Sequence, residues 1–169
     1  MNETDKNCAV LLTDAQEIKV NRCEPDTDTF DAARKAIGCE WIEIVEPESL
    51  AKQDLALLVD EEGKLKGNGF VNCVASHLYG SEQHGDVIVG GAVIVKASGE
   101  SLDLLTDNEA KQLAGNMMKI RGHAIESIAK AFQLQPKPRR QNEMLDALKS
   151  VDSVENTRRQ PCKKKETER

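Results

Sequence analysis

The stretch Leu55-Ala-Leu-Leu-Val-Asp-Glu-Glu-Gly63-Lys, together with the later run Asp86-Val-Ile-Val-Gly-Gly-Ala-Val-Ile-Val95, is the most apolar part of this sequence. Both runs have the length and apolarity of buried strands. The first is followed by Gly63, the residue type expected in a tight hairpin turn. The second is too continuously apolar for a surface strand. We therefore predict a central strand over 87–95, with a bulge or a close backbone approach at Gly90-Gly91.

Upstream of this stretch the pattern predicts three strands and one helix. Residues 8–12 are apolar and 17–21 alternate, which predicts an opening hairpin. A short helix is predicted over 30–37, with Asp28 or Thr27 as its N-cap. A strand over 40–46 follows, and Pro47 ends it.

Downstream, Thr106 and Glu109 form a capping box, the clearest helix start in the chain. Apolar residues then recur every three or four positions, which predicts an amphipathic helix over 107–134. A second short helix is predicted over 68–79. Together these elements predict an α+β fold with a small, mainly antiparallel sheet and one long C-terminal helix.

The predicted domain organisation follows from the same periodicity. One α+β domain covers 1–134 and includes the long helix. Residues 135–150 are predicted to be a linker with a short helix at 141–148, and 151–169 a disordered, charged tail, because they are polar and lack periodicity.

Composition excludes several classes of protein. No run approaches eighteen apolar residues, so no membrane span is predicted, and the first residues do not form a secretory signal. The five cysteines are widely spaced and include no Cys-x-x-Cys pair, which argues against a disulfide framework and a zinc ribbon. We therefore expect a cytoplasmic protein.

Charge is unevenly distributed. The net charge is −6, yet residues 157–169 carry six basic and two acidic side chains, which leaves −10 for the other residues. An acidic body does not suit a nucleic-acid-binding face. We expect no nucleic-acid contact except through the tail, and there a solvated segment is the more common case.

The combination of Asp60-Glu-Glu-Gly-Lys-Leu, then Asn72, then Asp86-Val-Ile-Val-Gly90 resembles the domain-of-unknown-function 3846 family over about residues 17–115. Members of this family are found mostly in phages, plasmids and conjugative elements. The resemblance implies a mobile-element setting. It supplies no established catalytic or binding residues.

Two glycine clusters are candidates for ligand binding, because glycine lets a ligand approach the main chain. A turn and a bulge are the more common roles of such glycines. The polar residues between the clusters could line a pocket with them, or could equally be a helix cap and packing residues. Neither cluster matches a phosphate-binding fingerprint. The candidate ligand-binding residues are Asn68, Asn72, Ser76, Tyr79, Gly90 and Gly91.

Catalytic and metal-binding chemistry find little support. Cys73 and His77 are four apart and could share a helix face, but a metal site needs further ligands, and His84 and His123 are the remaining histidines. A nucleophilic pair from Cys73 and His77 lacks an orienting group. We predict no catalytic residue, no metal and no cofactor.

Two functional hypotheses remain. The first is a non-enzymatic accessory or interaction protein of a mobile element, acting on a protein partner and associating with itself through the long helix. The second is a binder of a small anionic, nucleotide-like ligand, such as a phage anti-defence protein that sequesters a signal. A pocket with Asn72, Gly90 and a basic side chain would favour the second hypothesis.

Overall fold

Seven strands form one antiparallel sheet in the part of the chain that the computed structural model describes, residues 6–67 and 69–134. The strands are β1 Lys6–Leu12, β2 Ile18–Arg22, β3 Ile42–Val45, β4 Leu55–Asp60, β5 Ala92–Ser98, β6 Ser101–Asp103 and β7 Leu105–Thr106. The helices are α1 Thr29–Ile37, α2 Glu48–Ala51, α3 Cys73–Tyr79, α4 Ser81–His84 and α5 Asp107–Phe132. The strand order is β2-β1-β5-β4-β3, with β6 beside β5 and β7 beside β1. The predicted α+β fold is confirmed.

Helices cover both faces of the sheet, so the described part has three layers. Strand β4 shows the alternation: Leu55, Leu57 and Val59 belong to the cluster with α2, α3 and α5, while Ala56 and Leu58 belong to the cluster with α1. Successive side chains of a strand point to opposite faces. A strand covered on both sides must therefore be apolar at every position, which explains the continuous run that begins at Leu55.

The first three elements match their predictions. Strands β1 and β2 pair as the opening hairpin, with Val10 opposite Val20. Helix α1 begins after Asp28, whose carboxylate accepts hydrogen bonds from the backbone N–H groups of the first turn. It ends at Gly38, which has a φ of 77° in the left-handed region. Both caps supply partners to helix-end groups that lack them inside the helix.

Three predictions in the central stretch need correction. The strand predicted over 87–95 begins only at Ala92, because Gly90 has a φ of 89° that breaks the extended backbone. The hairpin predicted at Gly63 is wrong: within the described chain, a loop and α3 follow this turn, and β4 pairs with β3 and β5. The helix predicted over 68–79 begins at Cys73, because Asn72 is its N-cap.

Helix α5 begins with the predicted capping box. The Thr106 hydroxyl accepts from the Glu109 N–H, and the Glu109 carboxylate accepts from the Thr106 N–H. Lys96 also donates to this carboxylate at 2.9 Å. The backbone hydrogen bond from Thr106, followed by the contact with Lys96, lowers the pKa of Glu109 below its ordinary value.

This lowered pKa predicts a pH-dependent stability. A carboxyl group with a depressed pKa in the folded protein stabilises it above its unfolded pKa, and the effect is lost as the pH falls through the folded pKa. We expect Glu109→Gln to lower the free energy of unfolding by roughly 0.5–1 kcal/mol at pH 7, and by progressively less as the pH falls through the lowered pKa of the folded carboxyl group. Urea denaturation at several pH values measures this. Glu126→Gln, an exposed change on the same helix, is the control; an equal pH dependence in both variants would contradict the prediction.

Two glycines weaken the interior of α5. Gly115 and Gly122 lie in the helix, and a methyl group at either position would meet no atom of the described residues within 4 Å. We expect Gly115→Ala and Gly122→Ala each to raise the free energy of unfolding by about 1 kcal/mol. Gly99→Ala is the contrasting variant, because Gly99 has a φ of 64° that alanine adopts with strain. Thermal denaturation of the three variants should give two increases and one decrease.

The apolar stripe of α5 is covered within a single chain. Leu113, Met117 and Ala124 are buried against the sheet and the other helices on that face, and Ile128 is also buried. Self-association through α5 stays a prediction, but these residues are already occupied. No helix among the described residues is long and apolar enough to cross a membrane. The predicted helix at 141–148, the linker and the tail lie outside the described residues.

Candidate functional site

A cleft of about 330 Å³ opens at one end of the sheet. Because the strands are antiparallel, the C-terminal ends of β1 and β4 meet the N-terminal end of β5 there. The C-terminal end of α1 and the turn over 61–67 supply the other walls. The lining residues are Leu11, Thr13, Asp14, Ala36, Ile37, Gly38, Asp60, Gly63, Lys66, Gly69, Gly90 and Gly91.

Close backbone approach explains two of the glycines in this cleft. A Cβ atom at Gly63 would lie 2.4 Å from the carbonyl oxygen of Val89, and one at Gly69 would lie 2.8 Å from the Val89 side chain. The turn after β4 therefore presses against the segment before β5. The close approach predicted at Gly90-Gly91 is not found there: a Cβ at Gly91 would make an ordinary contact of 3.5 Å with Ile37, and one at Gly90 would meet no atom of the described residues within 4 Å.

The charged side chains of the cleft are paired locally. Asp60 accepts from the Glu62 N–H at 3.0 Å and from the Lys66 ammonium at 2.7 Å, and this hydrogen bond raises the pKa of Lys66. Asp14 accepts from the Phe70 N–H at 3.1 Å. Two carboxylates and one ammonium give the lining a net negative charge, which does not favour a polyanionic ligand.

Asn72 is not part of the cleft lining, but its side chain hydrogen-bonds to backbone groups next to the cleft. The side chain is 0% exposed, and its oxygen accepts from the Ala75 N–H at 3.1 Å. Its amide donates to the carbonyl oxygens of Leu12 and Gly90 at 2.9 and 3.0 Å. Asn72 therefore ties the end of β1, the segment before β5 and the start of α3 together.

The other predicted ligand-binding residues separate into three groups. Gly90 and Gly91 line the cleft. Ser76 is buried and its hydroxyl accepts from the Ile88 N–H at 2.9 Å, while Tyr79 packs near the His84 ring, and neither lines the cleft. Asn68 lies outside the described residues. Ligand binding by this set stays a prediction.

Cys73 and His77 do not meet as a reactive pair. Cys73 is buried, and burial raises the pKa of its thiol, which disfavours the thiolate nucleophile. His77 contacts Glu82 at 2.7 Å and packs edge-on against the His123 ring. Among residues 6–67 and 69–134, no group of three or more His, Cys, Asp or Glu side chains could hold a metal ion.

A second candidate site is the outer edge of β3, which we define as Glu40, Trp41, Glu43, Ile44 and Glu46 and call the β3 edge. Strand β3 is the last strand of the sheet and pairs only with β4 within the described chain. Trp41 is 56% and Ile44 47% exposed, and the three glutamates are exposed. An open strand edge with exposed apolar side chains is a ready site for pairing with another chain.

A shallow groove of about 700 Å³ borders Trp41. Helix α1 supplies one side through Asp31, Arg34 and Lys35, and the segment from Gly38 to Trp41 supplies the other. The groove could accept a side chain of a molecule bound at the β3 edge.

Sequence reasoning found part of these sites. It located Gly90-Gly91 and the strand over 40–46. It missed Lys66 and Asp60 in the cleft and the exposure of Trp41. The strand order, which leaves β3 without an outer neighbour among the described strands, depends on long-range pairing that a local pattern does not encode.

Comparison with known proteins gives one match. Searches of curated proteins and of solved structures returned none. The sequence profile of a domain of unknown function, DUF3846, matches residues 7–118, which include the cleft, the β3 edge and the first half of α5. The match confirms the resemblance and extends it at both ends. This chain belongs to the DUF3846 family.

Proposed function

We propose that this protein is a non-enzymatic accessory protein of a phage or another mobile element, and that it acts in the cytoplasm by binding a protein partner. The β3 edge carries this proposal. It combines an open strand with two large apolar side chains, Trp41 and Ile44, in a body that is otherwise strongly charged.

The composition of the β3 edge suits a protein interface. Aromatic residues are enriched at such interfaces because a large, rigid side chain buries much area with little loss of conformational freedom. Trp41 is the chain's one tryptophan, and its indole is more exposed than buried. Exposure of this side chain costs solvation free energy that a partner would recover.

Affinity purification from cells that carry the parent element tests this proposal. We expect the tagged full-length protein to retain a partner that is lost in the double variant Trp41→Ala, Ile44→Ser. Met118→Ala is a matched control, because Met118 is 54% exposed on α5 and lies outside the β3 edge. Quantitative mass spectrometry should show loss of at least about 90% of the partner in the double variant, a tenfold or about 1.4 kcal/mol effect. Equal recovery with all three proteins would contradict the proposal.

Small-ligand binding is a second candidate, and the cleft favours it. Its volume lies at the lower end of the range for small-molecule sites, and its glycine walls expose the main chain. The paired charges favour a neutral or zwitterionic ligand over the nucleotide-like anion that an anti-defence role would require. That role has less support than ligand binding in general.

Native mass spectrometry of the protein from the same cells tests ligand binding. A bound ligand adds a few hundred daltons that are lost on denaturation. Gly91→Ala adds a methyl group inside the cleft, at an ordinary contact distance of 3.5 Å from Ile37. The variant should therefore stay folded, and a smaller fraction of it should carry the added mass. If wild type and variant both show the mass of the subunit with nothing added, ligand binding is contradicted. The same spectra report any self-association.

A further inference from the structure

The hydrogen-bonding pattern of β3 leaves the backbone N–H and C=O groups of two residues pointing away from the sheet. The Glu61 N–H donates to the Trp41 carbonyl at 3.1 Å, so residues 41 and 61 form a hydrogen-bonded pair. Such pairs alternate with non-hydrogen-bonded pairs along an antiparallel ladder. In the observed register, Glu43 and Val45 therefore bond to β4, while the N–H and C=O groups of Ile42 and Ile44 point outward. The Ala97 N–H donates to the Asp54 carbonyl at 2.8 Å, so in the register of β4 with β5 the residues Ala56 and Leu58 bond to β5, which leaves Leu57 and Val59 to bond to β3.

The two edges of the sheet differ in charge. The exposed basic residues of β2 are neutralised within the chain: Lys19 pairs with Glu17 at 3.0 Å, and Arg22 pairs with Asp107. The three glutamates of the β3 edge form no ion pair within the described residues. The β3 edge thus offers open backbone groups and unneutralised negative charge together.

This charge selects among the possible occupants. A second copy of the chain that added its own β3 would place glutamates next to glutamates, and like charges across a strand pair are destabilising. Nucleic acid is disfavoured for the same reason. A basic segment of another protein would neutralise the edge and would gain affinity and association rate from the attraction.

We infer that the β3 edge accepts an extended basic segment of a different protein as an additional strand of the sheet. This inference rests on the proposed function and specifies its partner. The segment would bond to the outward groups of Ile42 and Ile44. Ile42 and Ile44 lie on the α1 face and Glu43 on the opposite face, so the added strand should alternate apolar residues with Lys or Arg.

Amide NMR with a defined probe tests strand addition. The probe is a ten-residue peptide that alternates Lys and Val, and its counterpart replaces each Lys with Glu. With the full-length ¹⁵N-labelled protein, we expect saturable shifts of the Ile42 and Ile44 amides with the basic peptide. The affinity for the acidic peptide should be at least about tenfold weaker. Shifts confined to other elements, or no shifts, would overturn the inference.

A pair of variants at one position separates strand addition from charge attraction. Ile44→Pro removes an outward N–H and keeps every charge. It also keeps the β3–β4 ladder, because that N–H does not bond to β4. Ile44→Ala removes the same apolar side chain and keeps the N–H. We expect Ile44→Pro to bind the basic peptide at least about tenfold more weakly than Ile44→Ala, with similar thermal unfolding of both. Equal affinities would overturn strand addition.

These variants also distinguish failure of the inference from failure of the proposed function. If recovery of a partner by affinity purification depends on Trp41 but is unchanged by Ile44→Pro, the proposed protein binding is supported and strand addition is contradicted. If the basic peptide adds to β3 in solution but no partner is recovered from cells, the proposed function falls instead. Concentration-dependent shifts of Ile42 and Ile44 in the protein alone would show that a second copy occupies the edge, and would also overturn the inference.

Discussion

Asn72→Ala should lower the free energy of unfolding by about 3 kcal/mol, among the largest effects that we expect from a single substitution in this protein. The reason is the number of buried groups that depend on one side chain. The change removes the N-cap acceptor of α3 and leaves the buried carbonyl of Leu12 and the partly buried carbonyl of Gly90 without this amide donor. An N-cap alone contributes about 1 kcal/mol, and each unsatisfied buried group costs a further 1–3 kcal/mol or so before relaxation.

Urea denaturation with circular dichroism measures this effect. Asn116→Ala is the matched control, because Asn116 is exposed on α5 and should change stability by less than about 0.5 kcal/mol. Asn72→Asp refines the interpretation: it keeps the cap acceptor but places carboxylate oxygens against two carbonyl oxygens, so it should also destabilise the protein strongly. Near-wild-type stability of both Asn72 variants would show that the three-way connection is not needed.

Gly63→Ala should lower the free energy of unfolding by about 3 kcal/mol, because the added methyl group overlaps the main chain. Its Cβ would lie 2.4 Å from the Val89 carbonyl oxygen and 3.2 Å from that of Asp60. Backbone atoms cannot move aside as a flexible side chain does. The turn after β4 would have to withdraw from the segment before β5, which would also widen the cleft.

Gly91→Ala is the control for this experiment. Gly91 lines the same cleft, but a methyl group there would meet Ile37 at 3.5 Å, an ordinary van der Waals contact. We expect its unfolding midpoint to stay within a few degrees of wild type, while that of Gly63→Ala falls by roughly 8 °C or more. Equal midpoints for the two variants would mean that the approach of the turn to Val89 is looser than described.

The location of the cleft links both predictions to function. Asn72 holds Gly90, and Gly63 sets the distance between two walls. Neither Asn72 nor Gly63 lies in the β3 edge, so variants at these positions that remain folded should still bind a protein partner through Trp41 and Ile44. Loss of partner binding in a folded Gly91→Ala variant would instead assign the partner to the cleft.

Local sequence determined the elements whose signals lie within a few residues of one another. The capping box of Thr106 and Glu109 started α5 as predicted, and Asp28 and Gly38 delimited α1. An apolar run identified β1 and alternation identified β2, and the combination of strand hairpins with inserted helices indicated a mainly antiparallel sheet. Caps and periodicity involve neighbouring residues, so their free energies are set before any tertiary contact forms.

Only the tertiary structure decided where β5 begins, what Asn72 does and which strand stays open. The backbone of Ile88 bonds to Asn72 and Ser76, more than ten residues away, so an apolar run that reads as one strand starts its ladder only at Ala92. Gly63 is required by a backbone that approaches from residue 89. The β3 edge is open because β3 is the last strand in the sheet order and, among the described strands, pairs with β4 alone. These features depend on contacts between distant segments, and a pattern of neighbouring residues carries no information about which distant group will meet them.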